Sequence, residues 1–144
     1  MRAYVDGQPV PEFDTTPFVS PPPLSTATVA IVTTAAIHLE SDAGFESADT
    51  GFRELPRAAR DLRMGHWSPN FDRTGFAADL DVVFPIDRLE ELAAAGVIGA
   101  VAPRHFSFAG NQDDSVTRVR LDSGPAVARL LRDDGVDVVL LTPV

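Results

Sequence analysis

The chain has 144 residues, 12 of them basic and 21 acidic, and a formal net charge of -9, which fits one domain of ordinary size. Its apolar fraction of 44% and charged fraction of 23% are typical of globular proteins and exclude a chain that is disordered throughout. The acidic balance argues against nucleic acid or an anionic membrane as a partner, since both are bound through positive charge.

The chain contains no cysteine, so by itself it can form neither a disulfide nor a thiolate metal site and can do no thiol chemistry. No basic segment followed by an apolar stretch opens it, and no run of about 18 apolar residues is present. These absences predict no membrane span and a cytoplasmic location.

Residues 1–27 are rich in proline, which fixes φ and removes a backbone donor, so they are predicted to form an extended arm. An α/β domain is predicted over residues 28–144. It opens with a β-branched run, residues 28–34, typical of a strand buried on both faces. Residues 35–79 lack strong periodicity, apart from a candidate helical turn near 57–63, and so long an irregular stretch is usually functional.

A second strand is predicted over residues 81–85, ended by Pro85. Asp87 then caps a predicted helix that runs through Ala95, because apolar residues recur there at helical spacing. Gly96 is expected to close this helix.

The second half of the domain repeats the pattern. The apolar run 97–102 predicts a third strand, and residues 103–114 predict a polar loop. Ser123 is expected to cap a helix that ends at Gly135, and residues 136–142 predict the fourth strand.

Strands that alternate with helices predict an α/β fold, with a mostly parallel sheet and flanking helices, flavodoxin-like or Rossmann-like. Ligands of such sheets bind beyond the carboxyl ends of the strands. Thr33 and Thr34, at the end of the first strand, are therefore candidate substrate-binding residues, and His38 is a weaker candidate. The chain stops at Val144, just after a buried strand, so the last βα unit is expected to be missing.

The densest group of chemically versatile side chains lies in residues 65–73. His66 can transfer protons, Arg73 can bind a carboxylate through two hydrogen bonds, and Asp72 can orient either of them. An ordered structural loop is the alternative, because aromatic residues such as Trp67 often anchor loops.

A second group directly follows the third predicted strand. His105 and Ser107 lie two residues apart, so in an extended segment their side chains point the same way. A serine hydrolase is an alternative interpretation, but the chain has no G-x-S-x-G motif. No short ligand pair such as H-x-x-x-H is present, and no metal site is predicted.

Four blocks, in this order and spacing, resemble the selenoprotein B subunits of the glycine, sarcosine, betaine and D-proline reductases: residues 29–34, 49–56, 66–85 and 96–110. The most specific is the third, a histidine-containing segment ending in Phe-Asp-Arg and followed by an Asp-hydrophobic-Val-Phe-Pro stretch. The resemblance implies an enzyme that reductively cleaves a C–N bond of a small amino-acid-like substrate. Its nucleophile would be a selenocysteine or cysteine that dithiols re-reduce.

For this chain the resemblance implies a pocket lined by His66, Asp72, Arg73, His105 and Ser107. The histidines would deliver protons, with Asp72 as the third catalytic residue, and the arginine would bind the substrate carboxylate. Expected partners are the small substrate, a thiol electron donor, and a reductase partner subunit or a second copy of the chain in a homo-oligomer.

The same resemblance implies which residue follows Val144. In the family, the strand that matches the last strand leads into a turn bearing the redox-active selenocysteine or cysteine. Because selenocysteine is encoded by UGA, Val144 is expected to precede such a codon, and the chain alone, with no redox centre, is expected to be inactive. The alternative is a non-catalytic α/β binding or assembly subunit of a reductase complex.

Overall fold

The computed structural model describes residue 14 and residues 19–67, 73–112 and 116–144. Its main sheet is built around β1 (Thr28–Thr33), whose β-branched residues favour an extended backbone. β7 (Val138–Thr142) pairs with β1 in parallel along one side. β5 (Ala100–Val101) and β6 (Arg104–Phe108) pair with it in parallel along the other.

Three shorter strands complete the β-structure. β3 (Phe52–Pro56) pairs antiparallel with β6 and adds an edge to the main sheet. β2 (Ile37–Leu39) and β4 (Leu62–Met64) pair antiparallel with each other in a separate two-stranded sheet. The predicted α/β class with a mostly parallel sheet is confirmed.

Helices cover both faces of the main sheet. The described α-helices are α1 (Thr74–Ala78), α2 (Ile86–Ala94) and α3 (Gly124–Asp133), the last preceded by a π-helical turn over Val119–Ser123. On one face Ile31 of β1 belongs to the same core cluster as Leu89 of α2. On the other, Ala30 belongs to a cluster with Val127 of α3. Burial on alternate faces of β1 therefore holds one helix on each side.

The predicted strand over residues 81–85 is wrong. Leu80–Val82 form a 3₁₀ turn instead, capped by the Asp79 carboxylate, which accepts a hydrogen bond from the Asp81 N–H at 2.9 Å. Val83 and Phe84 reach the core from this turn. These side chains therefore contribute apolar burial without joining the sheet.

Residues 35–79 are more regular than predicted. They contain β2, β3, β4 and α1, and the candidate helical turn near 57–63 is wrong, since residues 62–64 form β4. Strands of three residues are too short to show a periodic pattern. β3 lies at the edge of the sheet and contains Arg53, Glu54 and Pro56, so its sequence lacks the apolar pattern of a strand.

The region around β6 also departs from the prediction. Of the predicted strand 97–102 only β5 is extended, and the predicted loop 103–114 contains β6.

Ser123 does not cap a helix, because it lies inside a continuous helical stretch and makes no capping hydrogen bond. β1, α2, α3 and β7 are confirmed to within a few residues. Most of the predicted arm lies outside the described residues; within its described part, Leu24–Thr26 form a 3₁₀ turn.

Two fully buried polar side chains hold the sheet together. The His105 Nδ1 accepts a hydrogen bond from the Ile31 N–H at 3.0 Å, so the neutral ring carries its proton on Nε2. Ser107 Oγ accepts a bond from the Ile37 N–H at 2.8 Å and thereby fixes the start of β2 against β6. Each satisfies a buried backbone donor that would otherwise lose its partner.

Burial lowers the pKa of His105 to about 4, although the Glu90 carboxylate opposes this shift. Its ring packs edge-on against Phe84, with the centroids 5.5 Å apart. The unfolded chain, whose histidine titrates near 6.5, therefore takes up a proton that the folded chain resists. His105 contributes stability fully above pH 6.5 and loses it as the pH falls toward 4.

We predict that the free energy of unfolding falls between pH 6.5 and pH 4, and that His105 accounts for up to about 3 kcal/mol of the fall. His105→Asn keeps an acceptor oxygen near the position of Nδ1 but removes the titrating group. Urea unfolding at several pH values should show a variant that is less stable at pH 7.5 and declines less steeply below pH 6.5. Parallel declines of the two proteins would contradict this assignment.

Candidate functional site

The segments that follow β1, β6 and β7 meet at one edge of the sheet, because these strands are parallel. Gly110 lies at the meeting point. A Cβ atom built on it would lie 2.7 Å from His66 Nε2, 2.8 Å from the Val144 carbonyl oxygen and 2.9 Å from the Thr34 carbonyl oxygen. Polar atoms of three separate segments therefore surround this glycine.

Thr34 holds the end of the described chain in this place. Its hydroxyl oxygen accepts a hydrogen bond from the Val144 N–H at 2.8 Å and donates to the Val144 carbonyl oxygen at 3.3 Å. Its own N–H donates to the Thr142 carbonyl oxygen at 3.2 Å. Thr33 is fully buried, and its hydroxyl donates to the same Thr142 oxygen at 3.3 Å. Both threonines therefore bind the β7 segment.

His66 follows β4 and is only 6% exposed. Burial lowers the pKa of its imidazole, and the positive charge of Arg73 lowers it further. The ring is therefore neutral at neutral pH and can accept a proton. Arg73 lies just before α1, is exposed, and donates from Nη2 to the His66 carbonyl oxygen at 2.7 Å.

A pocket of about 310 Å³ opens beside His66, a volume at the small end of ligand sites. Its wall contains an aromatic pair in which Trp67 Nε1 donates to the Phe45 carbonyl oxygen at 2.5 Å. The pocket combines an apolar wall, a neutral imidazole and a guanidinium, which suits a small ligand with a carboxylate. It is lined by Gly44, Phe45, Met64, Gly65, His66, Trp67 and Arg73.

His38 lies behind this wall. Its Nδ1 lies 2.8 Å from the Leu39 carbonyl oxygen and donates a hydrogen bond to it. Cβ atoms built on Gly44 and Gly65 would each lie 3.5 Å from His38 Nε2. A side chain at either glycine would therefore lie in van der Waals contact with the His38 ring. No sequence pattern signals this relation, because it depends on the β2–β4 pairing.

The backbone is strained at the base of the site. Ala36 has a φ of 54°, a left-handed conformation that is costly for a residue with a Cβ. It is fully buried and held from both ends: its N–H donates to the Phe108 carbonyl oxygen, and its own carbonyl oxygen accepts from the Gly65 N–H, both at 2.9 Å. These bonds fix Gly65 and hence the adjacent His66.

The structure brings together His66, Arg73 and Thr34 from the predicted site. Asp72 lies outside the described residues. His105 and Ser107 do not line the pocket; both are fully buried and bonded to backbone N–H groups of the sheet. Their expected roles in catalysis and binding stay predictions. Gly110 was not among the predicted site residues, since a glycine after an unrecognised strand gives no chemical signal.

Within residues 19–67, 73–112 and 116–144 no group of three or more histidine or acidic side chains could hold a metal ion. In the same part of the chain, no helix has both the length and the apolar character needed to cross a membrane.

Three relatives align with most of this chain. It is 36% identical over 135 residues to D-proline reductase subunit gamma of Acetoanaerobium sticklandii, an alignment that covers 86% of this chain and 54% of the relative. It is 30% identical over 148 residues to the glycine reductase complex component B subunit gamma of Carboxydothermus hydrogenoformans, covering 93% and 32%. The corresponding subunit of Symbiobacterium thermophilum is 32% identical over 153 residues, covering 96% and 34%.

The chain spans about half the length of the first relative and about a third of the other two. No solved structure matches it significantly. The sequence profile described as glycine/sarcosine/betaine reductase selenoprotein B matches residues 2–144. The chain therefore belongs to the glycine/sarcosine/betaine reductase selenoprotein B family.

Proposed function

We propose that this chain forms part of a reductase subunit that cleaves a C–N bond of a small amino acid or amine derivative, with a redox-active selenocysteine or cysteine following Val144. One observation carries the proposal. Thr34 holds the Val144 backbone where Gly110 also meets the buried, neutral imidazole of His66.

The names of the relatives support the reaction class. One is a subunit of D-proline reductase and two are subunits of a glycine reductase complex. By analogy, this chain would work in a complex with a partner subunit and act on a substrate of the same chemical class. The pocket beside His66 is of a size for such a molecule.

The residues at the end of β7 fit a redox residue in the next position. The Val144 carbonyl oxygen lies beside the same Gly110 position as His66 Nε2, so the backbone after Val144 would start next to the imidazole. A selenol or thiol there would supply a polarisable nucleophile whose ionisation a neighbouring imidazole favours.

His66 would then act as the general acid and base. A neutral imidazole can take the proton that the ionising group releases and return it to the nitrogen that leaves as the C–N bond breaks. Arg73 would bind the substrate carboxylate, because the bond to the His66 carbonyl oxygen uses only one of its five N–H donors. Phe45 and Trp67 would contact the apolar part of the substrate.

The overall reaction balances with a dithiol as the reductant. Breaking the C–N bond reductively takes two electrons and two protons: the nitrogen leaves as an amine and the carbon gains a hydrogen. The dithiol gives up both electrons and both protons and becomes a disulfide.

A second candidate is a non-catalytic assembly subunit, which the exposed apolar side chains of β7 favour. Leu141 is 67% exposed, and Val139 and Leu140 are also exposed. In the part of the chain that the structure describes, no strand pairs with the outer side of β7. Such an edge is suited to receive another polypeptide segment.

An assay of the polypeptide made from the gene, translated past the Val144 codon with selenium supplied, separates the two candidates. We predict amine release or ring opening, driven by dithiothreitol, with glycine, sarcosine, betaine or D-proline once partner subunits are present. His66→Gln should lower kcat by about 100-fold, the usual effect of losing a general acid–base group, with little change in Tm. A redox residue present with no turnover of any of the four would favour the assembly subunit.

A second prediction concerns the electrostatic effect of Arg73 and needs only the 144-residue chain. Because the guanidinium lowers the pKa of His66, Arg73→Ala should raise that pKa. Arg73→Lys, which keeps the charge, should raise it less. NMR titration of the His66 ring measures the pKa in each protein. An unchanged value in Arg73→Ala would remove Arg73 from the immediate surroundings of the imidazole.

A further inference from the structure

We infer that Gly110 is a positioning residue which, together with Thr34, sets the distance between the His66 imidazole and the chain that leaves Val144. The inference rests on the proposed function, because it matters for chemistry only if the next residue reacts. It assigns a role to a residue with no functional group of its own.

Space, rather than backbone freedom, requires glycine at position 110. The residues with positive φ are others, Gly96 and Gly135 among the glycines, so an L-residue could adopt the Gly110 backbone. A Cβ there would nevertheless lie 2.7–2.9 Å from three polar atoms, closer than real Cβ contacts. Two of these atoms are backbone oxygens, and the Thr34 oxygen lies in a segment that a hydrogen bond to Thr142 holds in place. The methyl group would therefore have to separate His66 from the strand ends.

Thr34 fixes the position of Val144, on the strand side of the space around Gly110. Its hydroxyl bonds both the N–H and the carbonyl oxygen of Val144, and its own carbonyl oxygen is one of the three atoms around Gly110. The Thr34 N–H also donates to the Thr142 carbonyl oxygen and holds the same two segments together. Gly110 thus lets His66 lie close to a strand end that Thr34 holds in place.

The consequence for the reaction is geometric. Proton transfer needs donor and acceptor within hydrogen-bond reach, and a displacement of about 1 Å can lower a rate by about 100-fold. A residue after Val144 would lie within hydrogen-bond distance of His66 only while the His66 ring and the Val144 backbone stay close together around Gly110. Gly110 and Thr34 would therefore affect the reaction without touching the substrate.

A single thiol tests this geometry, since the chain has no cysteine. The 144-residue chain is extended by Cys-Gly-Ser, which keeps the terminal carboxylate away from the thiol, and alkylation by iodoacetamide is followed from pH 5.5 to 9. At pH 7 we expect Gly110→Ala to slow alkylation by about tenfold, equivalent to one unit in the thiol pKa. Gly75→Ala is the matched control, because a Cβ on Gly75 meets nothing within 4 Å, and it should react like the parent chain.

The Thr34 variants give a second, independent comparison. Thr34→Val has nearly the same shape but lacks the hydroxyl, so it should also slow alkylation, whereas Thr34→Ser should keep the parent rate. If Gly110→Ala does not fold, this pair of variants still tests whether Thr34 positions the chain after Val144. Folding of each variant is checked by its far-UV spectrum and Tm.

His66→Gln in the extended chain separates failure of the inference from failure of the proposed function. If His66→Gln leaves the alkylation rate unchanged, the position after Val144 is not next to the imidazole and the proposed function loses its main support. If His66→Gln slows alkylation but folded Gly110→Ala and Thr34→Val do not, the positioning role is overturned. NMR of the unextended chain adds a readout without the thiol: Gly110→Ala should shift the His66 ring signals and Gly75→Ala should not.

Discussion

Parallel pairing of β1 on both of its sides is the constraint on which the rest of the structure depends. It places the ends of β1, β6 and β7 at one edge of the sheet, so segments far apart in sequence meet there. Burial on both faces keeps this arrangement in register, with α2 on one face and α3 on the other. The site is therefore a product of sheet topology.

The two buried histidines lie in different environments. Both have a lowered pKa, but His105 accepts a hydrogen bond from a backbone N–H inside the sheet. His66 instead lies at the sheet edge, beside a pocket and the end of β7. The pocket gives a ligand access to His66, and the hydrogen bond to Ile31 occupies Nδ1 of His105.

Sequence patterns predict the α/β class, β1, α2, α3 and β7, because long apolar runs and helical spacing reflect burial directly. They do not predict β2, β3, β4 or β6, since short strands and strands with polar residues acquire their partners only in the tertiary structure. Chemical type and position predict His66, Arg73 and Thr34 as site residues, and their roles stay predictions. Neither criterion points to Gly110, because the atoms around it meet only in the tertiary structure.

The proposed function depends most on a redox residue directly after Val144. Intact-mass and fragment-ion spectrometry of the polypeptide purified from its own cells can detect such a residue. We expect a mass above the 15.4 kDa of the present chain and a selenocysteine or cysteine in the fragment that begins after Val144. A polypeptide that ends at Val144, or one that continues without either residue there, would contradict the proposed function.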